Sequence, residues 1–528
     1  MTPEPTGHLD TFCRDSLPSR ELWPDLSPNP SCPPRLNCAA ELLDTRIAAG
    51  DGERTALLAP WIRWSYGELL AAVNRIAHVL VEDLGLVSGN RVLLRSPNTP
   101  LLAACWLAVV KAGGVVVCTL PMLRRRELAY IAGKARIRLA VTDARLAAEC
   151  EEAMGEAGRV VHLQSLETLM QGKPADFSPC DTAADDVAAI LFTSGTTGQA
   201  KGTLHFHRDV LAVTDCFGRH IVRPTADDIF CGSSSLAFAY GLGGQLLFPL
   251  RFSAAALLLE QPTPQSLLQG IQDHRATILF TVPTVYRAMC GIAEGYDLSS
   301  LRLCISAGET LPAPTWEAWR RATGLQILDG IGSTEMLNTF LSAAEGDVRP
   351  GSTGKAVPGY LIKVVDEEGE EVPSGEIGRL AVSGPTGCRY LDDPVRQRLY
   401  VQNGWNLTGD AYRVDEDGWF WYQARTDDLI VSAGNKIAAP EVESVLLEHP
   451  QVKECGVVGV ADEERGQIVK AFVVLQPGGE PGEAMARELQ ELVKAQIAPF
   501  KYPRQIEFVD SLPRTETGKL QRFRLRER

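Results

Sequence analysis

Short apolar runs that end in Gly, Ser or Thr recur along most of this chain. "VAAIL", Val187 to Leu191, is one of them. A continuous apolar run of that length reads as a strand buried on both faces. "RVLLRS" at Arg91, "TILFTVP" at Thr277, "LRLCISAG" at Leu301 and "LQILDGIG" at Leu325 have the same form. Helical patterns lie between them, from Glu41 to Asp410. The alternation predicts an α/β fold whose large domain holds mainly parallel sheets wrapped by helices. Ligands of such sheets gather at the carboxyl ends of the strands. The stretch from Leu101 to Leu120 is the most apolar, but Lys111 and two glycines break it. A membrane span needs about 20 mostly apolar residues, so this stretch predicts a buried helix followed by a strand, and no membrane span.

The pattern changes near Arg425. A polar junction at Thr426, Asp427 and Asp428 precedes "KECGVVGVADEERGQIVKAFVVL", which reads as two strands. "EAMARELQELVKAQ" then places Met485, Leu489, Leu492 and Val493 on one helical face. The prediction is a large N-terminal domain over residues 1–426 and a small α+β domain over 427–528. The first forty residues, rich in proline and polar groups, are expected to form a surface arm.

Composition narrows the class. Of 528 residues, 45% are apolar and 22% charged, as in ordinary globular protein, and the net charge of -14 argues against a nucleic-acid partner. The 13 cysteines form no CxxC and the eight histidines no metal box. Scattered thiols and the lack of an apolar signal segment at the N-terminus point to a cytoplasmic protein. His205 and His207, in "LHFHRD", are expected to shape a wall rather than bind metal. The reading leaves a homodimer open.

Candidate chemistry begins at "LFTSGTTGQAKG", Leu191 to Gly202. Glycines free backbone N–H groups, hydroxyls add donors and Lys201 adds charge, a composition that suits an oxyanion such as phosphate. The spacing is not that of a Walker P-loop, and a lone GTTG reads equally as a surface loop. Four further segments carry chemistry. "DGIGSTE" ends in Glu335, a carboxylate that can ligate Mg²⁺ or simply face solvent. "LTGD" offers Asp410, suited to ribose hydroxyls or to stabilising its turn. Arg425 precedes the junction, and "PRTETGKL" carries Lys519 near the end of the chain.

Taken in order, "TSGTTGQAKG", "GIGSTE", "TGD", "RTDDLIVSAGNKIAAPEVE" and "RTETGK" resemble the adenylate-forming superfamily of acyl-CoA synthetases, luciferases and adenylation domains. "SLAFAYGLGG", "DGIGSTEML" and "HLDTFCRDSLP" are most similar to benzoate and 2-aminobenzoate CoA ligases. The resemblance implies ATP and CoA as co-substrates, Mg²⁺, and a mobile C-terminal domain. It assigns Lys519 to the carboxylate–phosphate junction and Glu335 to Mg²⁺, with Thr334 at the α-phosphate. Thr193, Ser194, Gly195, Thr196, Thr197, Gly198 and Lys201 would hold the β and γ phosphates, and Asp410 and Arg425 the ribose. Gly308, Glu309 and Thr310, with Asp329, Gly330, Ile331, Gly332 and Ser333, would frame the nucleotide. Lys436 aligns with a basic position that can approach phosphate. Phe238, Ala239, Tyr240, Gly241 and Ala307 match the acyl-pocket segment. Asp427 occupies the hinge position, and Gly434 would let pantetheine pass.

One departure bears on the acid. Asn338 and Thr339 stand where such ligases often carry His-Ile. Side chains reaching the pocket there would make it more polar than a plain benzoate site and suit an ortho amino or hydroxyl group. The resemblance thus implies an aryl-CoA ligase for 2-aminobenzoate or benzoate. A ligase for another small or medium-chain acid, an oxidative luciferase-type enzyme and a non-catalytic binder are the alternatives.

Overall fold

A computed structural model describes residues 5–26, 32–193, 200–432, 435–462, 465–514 and 520–527. Among them the strands form four sheets. The first runs in the spatial order Arg159–His162, Leu139–Thr142, Arg91–Arg95, Val115–Thr119, Val187–Thr193 and Lys201–Phe206. Its first five strands are parallel, and the last turns back against Val187–Thr193. The second has nine strands. Its centre is parallel, with Ile327–Gly332, Leu303–Ser306, Ile278–Thr281 and Ile229–Gly232 side by side. The five expected apolar runs are all strands of these two sheets.

These strands need cover on both faces, because their residues are apolar in succession. Arg91–Arg95, Ile278–Thr281 and Leu303–Ser306 are buried at every position. Helix Pro100–Lys111 supplies part of the cover. Proline opens it, and the Thr99 side chain accepts from the Leu102 N–H and caps it. Every residue of the helix but Leu101 is buried, including Lys111, whose ammonium donates to Asp44 and Asn74 at 2.6 Å each. Strand Val115–Thr119 follows, so the apolar stretch is the expected helix and strand. Among the described residues, no helix is long and apolar enough to cross a membrane.

The third sheet departs from the parallel expectation. Leu361–Val365, Gly378–Ser383, Trp405–Val414 and Phe420–Arg425 pair antiparallel. Strands such as Trp405–Val414 and Phe420–Arg425, which mix buried with half-buried positions, give a weaker apolar signal than the continuous runs. The fourth sheet lies beyond Arg425. Val452–Asp462 and Gly466–Leu475 pair along most of their length, and helix Glu483–Gln496 buries Leu489 and Val493 against them.

The N-terminal stretch is more than a surface arm. Cys13 is buried beside Leu93 and Val115. Asp186 accepts from the Thr6 hydroxyl and the Gly7 N–H, and Arg91 pairs with Asp10. Polar composition hid these anchors, which are single residues without a period. All thirteen thiols are unpaired.

Candidate active site

The glycine-rich segment joins two antiparallel neighbours, in which Thr193 faces Lys201. Thr193 is half-buried. Ser194, Gly195, Thr196, Thr197 and Gly198 lie outside the described residues. Lys201 opens its strand and reaches across to the second sheet. Its ammonium donates to Glu335 Oε1 at 2.6 Å and to the Tyr390 hydroxyl at 2.8 Å.

Glu335 sits in the tight connection between Ile327–Gly332 and Thr339–Ser342, and it is 6% exposed. The Leu337 N–H bonds back to the Thr334 carbonyl at 3.1 Å, and the Met336 N–H to the Ser333 hydroxyl at 3.2 Å. Leu337 takes a φ of 66°, a conformation that L residues adopt at a cost. A side chain on Gly332 would start 2.6 Å from the Asn338 carbonyl, so the turn closes only over glycine. Burial alone pushes the Glu335 carboxyl up, but Lys201 and Tyr390 outweigh it and hold the group below the usual carboxylate range.

A second pair lies on the antiparallel sheet. Asp410 and Arg425 are register partners, and the guanidinium donates to the Asp410 carboxylate at 2.9 Å and to the Thr408 carbonyl at 3.0 Å. Gly409 has φ 77°, and a side chain there would start 2.6 Å from Arg425 Nη2. Tyr400 is near both pairs: the Lys201 ammonium is 5.8 Å from its ring centre, and burial, with the charges of Glu335 and Asp410, pushes its hydroxyl well up. Its hydroxyl is 3.4 Å from Ser333 Oγ, and its ring packs edge-on to Tyr390 at 5.8 Å.

The segment 307–310 follows Ser306, the register partner of Asp329. That register starts the 307–310 segment beside Asp329 of the neighbouring parallel strand. Gly308 and Thr310 are exposed, and Gly308 has φ 90°. Asp329 Oδ1 is buried without a hydrogen bond, and burial pushes this carboxyl well up.

On the acyl side, Phe238 is half-buried and Ala239 buried. A side chain on Gly241 would start 2.1 Å from the Ser235 carbonyl. Tyr240 donates to the Ile305 carbonyl at 3.0 Å and packs on Phe280 at 5.6 Å. Asn338 and Thr339 find their partners within the protein. The Asn338 amide nitrogen donates to the Ala239 carbonyl at 2.8 Å, and its oxygen accepts from the Thr339 N–H at 2.8 Å and hydroxyl at 3.1 Å. Both residues are buried and bond inward, so these polar atoms tie the acyl segment to the Glu335 turn.

His205 and His207 are buried, and desolvation pulls their pKa values down to about 4 and about 3, so both are neutral. Among the described residues, no three His, Cys, Asp or Glu side chains cluster to hold a metal. Gly434 and Lys519 lie outside the described residues, as do the side chains of Asp427 and Lys436.

A model of the AMP-binding enzyme family matches residues 45–389. The chain belongs to that family. The model of the AMP-binding enzyme C-terminal domain matches residues 441–519. A benzoate–CoA ligase of Thauera aromatica is 37% identical over 507 residues, which cover 94% of this chain and 96% of the relative. A 3-hydroxybenzoate–CoA ligase of Aromatoleum sp. (strain CIB) is 32% identical and covers 93% and 97%. Among solved structures, the anthranilate CoA ligase AuaEII, in complex with anthranoyl-AMP, matches with a TM-score of 0.89 at 33% identity, covering 94% of this chain and 98% of its own. A benzoate CoA ligase from Burkholderia xenovorans LB400 gives 0.85 at 34%, covering 93% and 100%.

For an AMP-binding enzyme, the site as built here contains two residues that sequence reasoning missed, Tyr390 and Tyr400. Neither stands in any of the motifs that carry the resemblance. The isolated backbone bridge between Thr203 and Tyr390 brings Tyr390 alongside the Lys201 strand, and only the fold supplies that pairing.

Proposed function

We propose that this AMP-binding enzyme is an ATP-dependent aryl-CoA ligase. A carboxylate is a poor acyl donor, since its oxygen leaves badly. In the proposed reaction an oxygen of the acid attacks the α-phosphorus of ATP, pyrophosphate departs, and an acyl-adenylate forms. The sulfur of CoA then attacks the acyl carbon, and AMP leaves with the acid's oxygen. The observation that carries this reading is the presence of two charged pairs, Lys201–Glu335 and Asp410–Arg425, near one ring, that of Tyr400. The first pair suits a triphosphate and the second a ribose.

Lys201 and the 193–198 segment would hold the β and γ phosphates, Thr334 the α-phosphate, and Asp410 and Arg425 the ribose hydroxyls. Gly308 to Thr310 and Asp329 to Ile331 would frame the adenine. Glu335 offers one carboxylate, which together with phosphate oxygens and water is the set that Mg²⁺ takes from a nucleotide, so the residues fit an ion that arrives with ATP. When bound, Mg²⁺ supplies charge neutralisation and orients the phosphates. Lys519 would stabilise charge where the carboxylate meets the α-phosphate, usually the largest catalytic contribution, and Lys436 would approach phosphate. Residues 427–528 would act as a lid that turns at Asp427 between the two half-reactions, bringing Gly434 to the pantetheine path. A cytoplasmic location belongs to the same reading and is supported by the unpaired thiols.

2-Aminobenzoate or benzoate is the favoured acid. The aryl ligases among the relatives support it, as does the aromatic, small-residue segment Phe238 to Gly241. Asn338 and Thr339 bond inward, so the proposed pocket rests on shape more than on those polar groups. An apolar pocket separates analogues that differ by a ring hydroxyl only weakly, by about a hundredfold or less. CoA-dependent AMP release across a panel of acids is expected to show benzoate and 2-aminobenzoate within that range of each other. Medium-chain fatty acids should fall well below both. A medium-chain acid as the best substrate by kcat/KM would overturn the aryl assignment.

A further inference from the structure

We propose that Tyr390 is a positioning residue of the nucleotide site, holding the Glu335 carboxylate in place when Lys201 turns to phosphate. The inference rests on the reading of Glu335 and Lys201 given above. The Tyr390 hydroxyl lies 2.6 Å from Glu335 Oε1 and 2.8 Å from Lys201 Nζ, and Lys201 itself lies 2.6 Å from Oε1. Three polar atoms thus form a closed triangle. The phenol donates its one proton to the carboxylate and accepts from the ammonium. Neither donor uses Glu335 Oε2.

A phosphate that draws Lys201 away removes the positive partner of a carboxylate that is 6% exposed. An uncompensated buried charge is costly. The Tyr390 O–H would stay behind and keep Oε1 hydrogen-bonded, with Oε2 facing the nucleotide and its ion.

The surroundings fix this hydroxyl. Tyr390 is 2% exposed. Its N–H donates to Gln397 Oε1 at 2.9 Å, and the buried Gln397 amide donates to the Leu22 and Cys388 carbonyls. On either side, Leu204 N–H bonds to the Arg389 carbonyl at 2.8 Å and Leu391 N–H to the Gly202 carbonyl at 2.9 Å. The backbone of Tyr390 is therefore bound to the same strand that carries Lys201, and the Tyr400 ring sets its plane.

Tyr390→Phe keeps the ring and removes only the hydroxyl. Calorimetry on the full chain would compare binding of ATP with Mg²⁺ against binding of AMP without metal. Loss of a hydrogen bond to a charged group is expected to weaken MgATP by about ten- to a hundredfold. AMP does not engage Lys201 in this reading, so its affinity should stay at the wild-type value. In turnover, the KM for ATP should rise with kcat largely kept. Equal weakening of MgATP and AMP would show a purely structural role and overturn the inference, and so would unchanged MgATP affinity. Glu335→Gln measured in parallel separates the two levels. If it binds MgATP like wild type, the reading of Glu335 falls. If it binds weakly while Tyr390→Phe binds normally, only the role of Tyr390 falls.

Discussion

Lys519→Ala is expected to lose adenylation by at least about a thousandfold while keeping most of its thiolation activity. Removing one preorganised donor at a site of developing charge costs roughly 100- to 1,000-fold in other enzymes, and a full cation between two anions carries more. The carboxylate and the α-phosphate repel each other as they approach, so the ammonium acts on the first half-reaction. In the second, a neutral carbonyl meets a thiol nucleophile, and the proposed rotation has by then carried Lys519 away. The two steps can be read separately. Acid-dependent exchange of labelled pyrophosphate into ATP reports the first, and CoA thioester formation from supplied acyl-adenylate reports the second. Equal loss in both would contradict the two-orientation scheme.

Arg389→Leu should destabilise the fold by roughly 3–5 kcal/mol, the usual cost of removing one partner of a buried ion pair. Arg389 and Asp209 are both fully buried, with Nη1 to Oδ2 at 2.7 Å. The guanidinium lies 4.0 Å from the centre of the Phe206 ring and 5.3 Å from that of Trp23. The Phe206 N–H also donates to Asp209 Oδ2 at 2.9 Å, which would be that oxygen's remaining bond after the change. Asp209 Oδ1 has no hydrogen bond even now. The double variant Arg389→Leu/Asp209→Leu should lose less than the single one, because it leaves no stranded charge. Urea unfolding followed by tryptophan fluorescence reads both variants. A loss under about 1 kcal/mol in the single variant, or a double variant clearly worse than it, would contradict the account.

The site and the fold were legible to different depths for physical reasons. Parallel strands such as Leu303–Ser306 announce themselves, because burial on both faces demands unbroken apolar residues. Glu335 and Asp410 stood out because each adjoins a glycine that permits close approach, Gly332 and Gly409, and Arg425 because it precedes the polar junction. The antiparallel sheet around Trp405–Val414 was hidden, since that strand and Phe420–Arg425 mix buried with half-buried positions instead of running apolar throughout. Tyr390 was hidden for another reason. It meets Lys201 across 189 residues and Glu335 across 55, and no local period encodes such a meeting. Trp23 and Cys13 belong to the same class, as isolated anchors inside a polar, proline-rich stretch. The partners of Asn338 were hidden too, because an amide in sequence carries no information about which carbonyl it will find.

The central chemical claim is that the acid's own oxygen attacks the α-phosphorus of ATP. Turnover of benzoate labelled with ¹⁸O in its carboxyl group, with ATP and CoA, tests it most directly by mass spectrometry of the products. The account expects one labelled oxygen in AMP and none in pyrophosphate. Label in inorganic phosphate together with ADP, or unlabelled AMP alongside the thioester, would contradict it.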